Sequence, residues 1–312
     1  PLKVQFWTED QVITFGRSDY RILTRLGSGG IGTTFKVAQI EPSTNNESGV
    51  YVAKVIHKQA DGETVLRSYK LARPYLQHQN LTGLLELDSE WHEDSITALM
   101  NWVPGMPLSD LSGVLPIHAS DLSGGLTAQD EDERDRAAET LAIRWIRDIC
   151  DALDVLHRNG LVHGDVSPKN LIVSESRIVL TDYDFVGKIG EAPVGPGSVR
   201  YASPRVDGHL AKASDDIYAL ASTFFEVIFD RAPFDHEGIF DKQMGLNWDE
   251  SERSQFPTLA PVLERATHPD SSSRFQSTYE LLAALDEDID TIIETRPKEK
   301  VLERSERTID WL

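Results

Sequence analysis

The sequence holds one cysteine, Cys150, among 312 residues. No disulfide can close within a single chain, which suits a reducing compartment and excludes a small disulfide-stapled scaffold. Basic residues are also scarce. Lysine and arginine total 31 against 51 aspartates and glutamates, a formal net charge of −20. Nucleic acid binding needs clustered Lys and Arg to neutralise phosphates, so no nucleic acid partner is expected. Anionic membrane surfaces are disfavoured for the same reason, and no membrane partner is expected. No run of 18 or more apolar residues, no stretch of signal-peptide character and no internal repeat is visible. A cytoplasmic protein is the expectation. The sequence starts at Pro1 rather than methionine, and it reads as processed or as a piece of a longer chain with further domains.

What is present is ordinary for a globular protein, with 40% hydrophobic and 26% charged residues. At about 150 residues per domain, the length fits two domains or one domain with two lobes. The first part reads as strands over residues 20–26, 33–40, 50–56, 84–88 and 96–102, with one helix over 61–76 that Pro74 interrupts. The turn-rich residues 41–49 read as a hairpin connection. The later part reads as helices over 138–158, 215–229, 259–267 and 277–286, with short strands at 171–173 and 178–180. A small β-rich part thus precedes a larger α-rich part. The break falls near residues 101–107, and a cleft between such parts is a common ligand site.

Gly27, Gly29 and Gly32 in LGSGGIGTTFKV have G-x-G-x-x-G spacing. Glycine lets backbone N–H groups approach phosphate oxygens closely. A strand follows rather than a helix, which favours a hairpin folded over phosphates to a dinucleotide site. Lys54 lies in the β run YVAKV, as an edge-strand gatekeeper or as a phosphate ligand; the glycine loop before it favours the second. In LVHGDVSPKNLIV, Asp165 can accept or steer a hydroxyl proton and Asn170 can offer an amide oxygen to Mg²⁺. Asp182 follows the apolar strand of VLTDYDF, and a hairpin between the two strands would bring it to the same metal.

The order of glycine loop, strand lysine, H-x-D-x-x-x-x-N and strand aspartate resembles the eukaryotic-type protein kinase family over about residues 20–286. GSVRYASPR, the helix bearing Asp216, Ala232-Pro233-Phe234 and Ser273-Arg274-Phe275 are similar to its later landmarks. The short activation segment looks bacterial. The resemblance implies an α+β, bilobal kinase-like fold, with an extension at 1–19, a small lobe at 20–101, a large lobe at 102–290 and a charged tail or linker at 291–312. It implies ATP and Mg²⁺ as cofactors and a protein substrate. Lys54 would hold the α- and β-phosphates, and Asp165 would be the catalytic base or hydroxyl orienter. Asn170 and Asp182 would hold the metal. Ala53, Met100 and Ile172 would border the adenine, with Met100 as gatekeeper, and backbone groups of Asn101 and Val103 would bind its edge. His163 and Tyr183 would pack rather than carry protons.

Several positions depart from the family pattern. Gly164 replaces the arginine of H-R-D, and residues 187–197 contain no Ser, Thr or Tyr. A non-RD enzyme without a phosphorylation switch in that stretch is the expectation. Ser167 stands where Ser/Thr kinases carry lysine. Lys169 is either the charge on the γ-phosphate or a surface lysine. Asp184 replaces the glycine of D-F-G, and a register using Asp184 as the metal ligand is the less favoured one. Arg205 replaces the glutamate of A-P-E and would face Arg274, with Glu264 as a compensating acid. The helix glutamate that should pair with Lys54 is missing, and Glu63 is the one candidate. Ser198 with Tyr201 resembles the Ser/Thr pattern more than the tyrosine one. Active Ser/Thr kinase is therefore the first reading; a nucleotide-binding pseudokinase scaffold and a small-molecule phosphotransferase are the alternatives.

Overall fold

The computed structural model describes residues 7–44, 46–57, 61–88, 95–111, 131–175, 177–235 and 242–295. Its first strands are β1 (Val12–Phe15), β2 (Ser18–Ser28), β3 (Gly32–Ile40), β4 (Glu47–His57), β5 (Leu84–Leu87) and β6 (Ser95–Asn101). They form one six-stranded antiparallel sheet in the order β1-β2-β3-β4-β6-β5. Side chains alternate across each strand, so the sheet has two faces. On one, Ala53 and Val55 join Phe15, Tyr20, Phe35, Val37 and Leu99 in a small cluster. On the other, Ile56 packs under helix α1 (Gly62–Ala72), whose Val65, Leu66, Tyr69 and Ala72 belong to the main core.

Helix α1 starts after Asp61, whose carboxylate accepts the Thr64 hydroxyl at 2.8 Å. It ends at Ala72, and Arg73–Tyr75 tightens into a 3-10 turn at Pro74, which lacks an N–H for the helical ladder.

The rest is mainly helical: α2 (Glu131–Arg158), α3 (Ala213–Phe229), α4 (Glu250–Gln255), α5 (Leu259–Ala266) and α6 (Thr278–Thr295). Short strands β7 (Met106–Pro107), β8 (Leu161–Val162), β9 (Leu171–Ser174), β10 (Arg177–Leu180) and β11 (Gly187–Lys188) lie among them. Helix α3 is buried almost all round, as its run ALASTFFEVIF, charged only at Glu226, allows, and occupies the centre of this part. One continuous core runs from Ile56 and Tyr69 through Leu153 and Phe224 to Leu285. Cys150 is fully buried in it. Residues 112–130, and 296–312 of the expected tail, lie outside the described residues.

Candidate active site

A cleft of about 760 Å³ opens between the sheet and the helical part, a volume within the usual range for small-molecule sites. Its roof is the β2–β3 turn. The Gly29 N–H donates to the Gly32 carbonyl at 2.9 Å and closes the turn. Gly27 and Gly29 face open space, where a Cβ would touch nothing within 4 Å. Gly32 differs: a Cβ there would overlap the Val55 carbonyl oxygen, so it is needed for β3 to lie on β4.

Period two along β4 settles which neighbours of Lys54 face the cleft. Val52 and Lys54 line it, whereas Ala53 points into the small cluster behind the sheet. The assignment of Ala53 to the adenine border is thereby corrected to Val52. Met100, the residue before the last of β6, is a buried lining residue, and Asn101, Val103 and Ile172 line the cleft as well. The Asn101 N–H is taken by the Gly83 carbonyl at 2.9 Å, so the backbone group Asn101 can offer a ligand is its carbonyl.

Lys54 is 7% exposed. Its ammonium donates to Asp182 Oδ1 at 2.8 Å and to Asp184 Oδ2 at 2.6 Å. Burial presses the ammonium down, but the two carboxylates outweigh it and hold it above the ordinary lysine range. Burial likewise pushes the Asp182 carboxyl up, and the Lys54 charge overcomes this to leave it below the usual range. Asp184 is raised, by burial and by the Asp182 charge. Glu63 stays exposed in the first turn of α1, and the charges acting on Lys54 are those of Asp182 and Asp184. The expected Glu63 pairing is replaced by an aspartate from the turn after β10.

The loop between β8 and β9 carries Asp165, Lys169 and Asn170. Asp165 is 6% exposed. Its Oδ1 accepts the Ser198 N–H at 2.6 Å and its Oδ2 accepts the Asn170 amide at 2.9 Å. Lys169, with 65% of its side chain exposed, stands 3.8 Å from the same carboxylate. The loop is fixed from below by Asp216 of α3, which accepts the His163 N–H at 2.8 Å, the Gly164 N–H at 2.9 Å and the His157 ring at 2.8 Å. Antiparallel pairing of β9 with β10 sets Leu171 opposite Leu180, so Asn170 and the residues leading to Asp182 leave the hairpin side by side. His163 and Tyr183 are fully buried and pack edge to face, and the Tyr183 hydroxyl donates to the Thr82 carbonyl at 2.6 Å.

The donor set fits a hard cation. Asn170 turns its amide nitrogen to Asp165, which leaves its oxygen, and Asp182 adds carboxylate oxygens. Oxygen ligands of this kind suit Mg²⁺ held jointly with substrate phosphates. Among the described residues no cluster of three or more His, Cys, Asp and Glu suits a metal without such help.

Beyond Asp165, the segment leading to α3 is gripped from outside. Buried Lys242 donates to the Val199 and Ala202 carbonyls at 2.5 and 2.6 Å. Arg205 donates to the Gly195 carbonyl at 2.6 Å. The expected confrontation of Arg205 with Arg274 does not occur. Arg274 donates to the His268 and Pro269 carbonyls, stacks 4.6 Å over Tyr218 and lies 3.8 Å from Asp215. Asp215 is the compensating acid, and Glu264 pairs with Arg253 instead. Asp215 also takes the Ser203 hydroxyl at 2.6 Å and the His209 ring at 2.9 Å. Sequence reading missed Lys242, Asp215 and the Ser198 N–H; the SDD start of α3 was the one visible signal for Asp215.

The protein kinase domain family matches residues 20–285. A probable serine/threonine-protein kinase PknB of Lactococcus lactis is 26% identical over 302 residues, covering 91% of this chain and 44% of the relative. Serine/threonine-protein kinase PrkC of Bacillus subtilis is 26% identical over 228 residues, covering 70% of this chain and 31% of the relative. The chain thus spans less than half the length of these relatives. The crystal structure of the Mycobacterium tuberculosis PknI kinase domain, in a point-mutant form, superposes with a TM-score of 0.58 at 22% identity, covering 86% of this chain and 95% of that one.

Proposed function

The chain belongs to the protein kinase domain family, and from that premise we propose that it transfers the γ-phosphate of Mg-ATP to a protein hydroxyl, serine or threonine before tyrosine. The observation that carries this reading is the convergence of Lys54, Asp165, Asn170 and Asp182 on one cleft under the glycine turn. Lys54 would hold the α- and β-phosphates, and Asn170 and Asp182 would hold the metal. Mg²⁺ held by these two residues would supply neutralisation of the phosphate charge. Asp165 orients the acceptor hydroxyl and takes its proton, its two oxygens aimed by the Ser198 N–H and the Asn170 amide. Val52, Met100 and Ile172 would border the adenine, with the Asn101 carbonyl and Val103 N–H on its edge.

The substrate is a protein, and the length of the relatives supports further domains beyond these residues. No helix among the described residues is long and apolar enough to cross a membrane. A cytoplasmic location is our proposal from the single cysteine, which suits a reducing compartment.

The test is transfer of labelled phosphate from Mg-ATP to a generic basic protein, with Asp182→Asn beside the wild type. Wild type transfers, and Asp182→Asn loses about 10²-fold or more as the metal loses a carboxylate. Equal labelling by both proteins would remove Asp182 from the site.

Lys169 adds a graded expectation. It lines the cleft beside Asp165, so Lys169→Ala lowers kcat by about 10-fold or more with little change in ATP KM, because its charge acts on the phosphate in flight. An unchanged kcat would make it a surface lysine.

A further inference from the structure

The buried face of α1 is formed by Gly62, Val65, Leu66, Ser68, Tyr69 and Ala72. It carries no carboxylate. A buried ammonium without a paired charge is strongly unfavourable, so Lys54 must be held from another element. Two carboxylates reach it, and they are not equivalent. The Asp182 side chain is 30% exposed and opens to the cleft, whereas that of Asp184 is 6% exposed. Asp184 also makes the shorter bond, 2.6 Å against 2.8 Å. A cation taken up by Asp182 competes with Lys54 for the same oxygens, whereas Asp184 remains. The backbone at Asp184 is ordinary, unlike that of Asp182 with φ +67°, so a side chain at this position imposes no strain.

We propose that Asp184 is the positioning residue of Lys54, replacing from the metal-binding turn the acidic partner that α1 lacks; this rests on the kinase reading above. The salt link that ordinarily joins the helix to the sheet lysine is here internal to the nucleotide site. Lys54 is then set whenever the turn after β10 is in place, whatever the position of α1.

The test uses the full chain with Asp184→Asn, Asp184→Glu and Lys54→Met, alone and as the Lys54→Met/Asp184→Asn double variant. Readouts are kcat, ATP KM, MgATP Kd, half-saturating Mg²⁺ and the melting temperature. Partners that orient a binding side chain typically contribute about 10–100-fold, so Asp184→Asn lowers kcat/KM for ATP by that factor. Half-saturating Mg²⁺ does not change, and Asp184→Glu recovers most of the loss. In the Lys54→Met background Asp184→Asn has no further effect, because the two act as one unit. A loss that adds fully to that of Lys54→Met, or a raised Mg²⁺ requirement, would overturn the proposal and make Asp184 a metal ligand. Wild-type rates in a folded Asp184→Asn would overturn it too. If wild type binds MgATP without transferring phosphate, the kinase reading fails, while a weaker MgATP Kd in Asp184→Asn alone still supports the link. If wild type neither binds nor transfers, both fall.

Discussion

Replacement of Asp165 by asparagine is expected to lower phosphate transfer by about 10²–10⁴-fold while MgATP still binds, the range removed with a positioned general base. The geometry makes this substitution informative. Asp165 accepts on both oxygens, from the Ser198 N–H and from the Asn170 amide. Asparagine has the same size but one accepting oxygen, so its own NH₂ must face one of two donors. The acceptor hydroxyl then meets no base, and the oxygen that remains is claimed by the protein. Single-turnover transfer measures the loss, and nucleotide-induced thermal stabilisation shows that the cleft still fills. A turnover within threefold of wild type would take the proton-accepting role away from Asp165.

The second large effect concerns Gly164, where the family pattern has arginine. Gly164→Arg is expected to lower stability and to abolish transfer, not to restore a phosphate-responsive enzyme. Gly164 has φ +79°, and a Cβ there would lie 2.5 Å from the Phe185 carbonyl oxygen. A left-handed backbone costs an L-residue about 1–2 kcal/mol, and overpacking against fixed backbone adds about 1–3 kcal/mol. At roughly 2–4 °C per kcal/mol for a large domain, the melting temperature falls by about 4–20 °C. Gly160 separates the two terms. It has φ +72° but nothing within 4 Å of a built Cβ, so Gly160→Ala reports the backbone cost alone and Gly164→Ala reports backbone plus overlap. Equal melting temperatures for the two alanine variants would show that the Phe185 contact relaxes freely.

Much of the site was legible in the sequence because the motifs are local. Asp165 and Asn170 share one short loop, and Asn170 and Asp182 flank one hairpin, so spacing predicts their meeting. The β runs and the apolar stripe of α2 follow from periodicities of 2 and 3.6. What was illegible depends on long-range approach. Asp184 meets Lys54 across 130 positions, and no pattern within either segment announces the pair. Absence of an acid between Glu63 and Glu86 showed that a partner was missing, not where its replacement would come from. Ala53 was misassigned for a simpler reason. The strand was located correctly, but which of its two faces meets the cleft depends on the neighbouring strands and on α1. Arg205 and Arg274 illustrate the reverse failure. The family pattern places them together, yet each side chain finds backbone carbonyls instead.

The hold of Lys242 and Arg205 on the segment between Gly195 and Ala202 has a consequence for how that segment tolerates change. Every atom gripped is a main-chain oxygen: those of Gly195, Val199 and Ala202. Main-chain oxygens are the same whatever side chains the segment carries. An outward side chain such as exposed Val199 is therefore open to rewriting, whereas Gly195 and Gly197 are not, because a Cβ there would meet the Phe185 ring and the Gly164 carbonyl. Length is a different matter. One residue added or removed between these anchors moves each carbonyl out of step with its cation, so the segment accepts a change of spelling but not a change of metre.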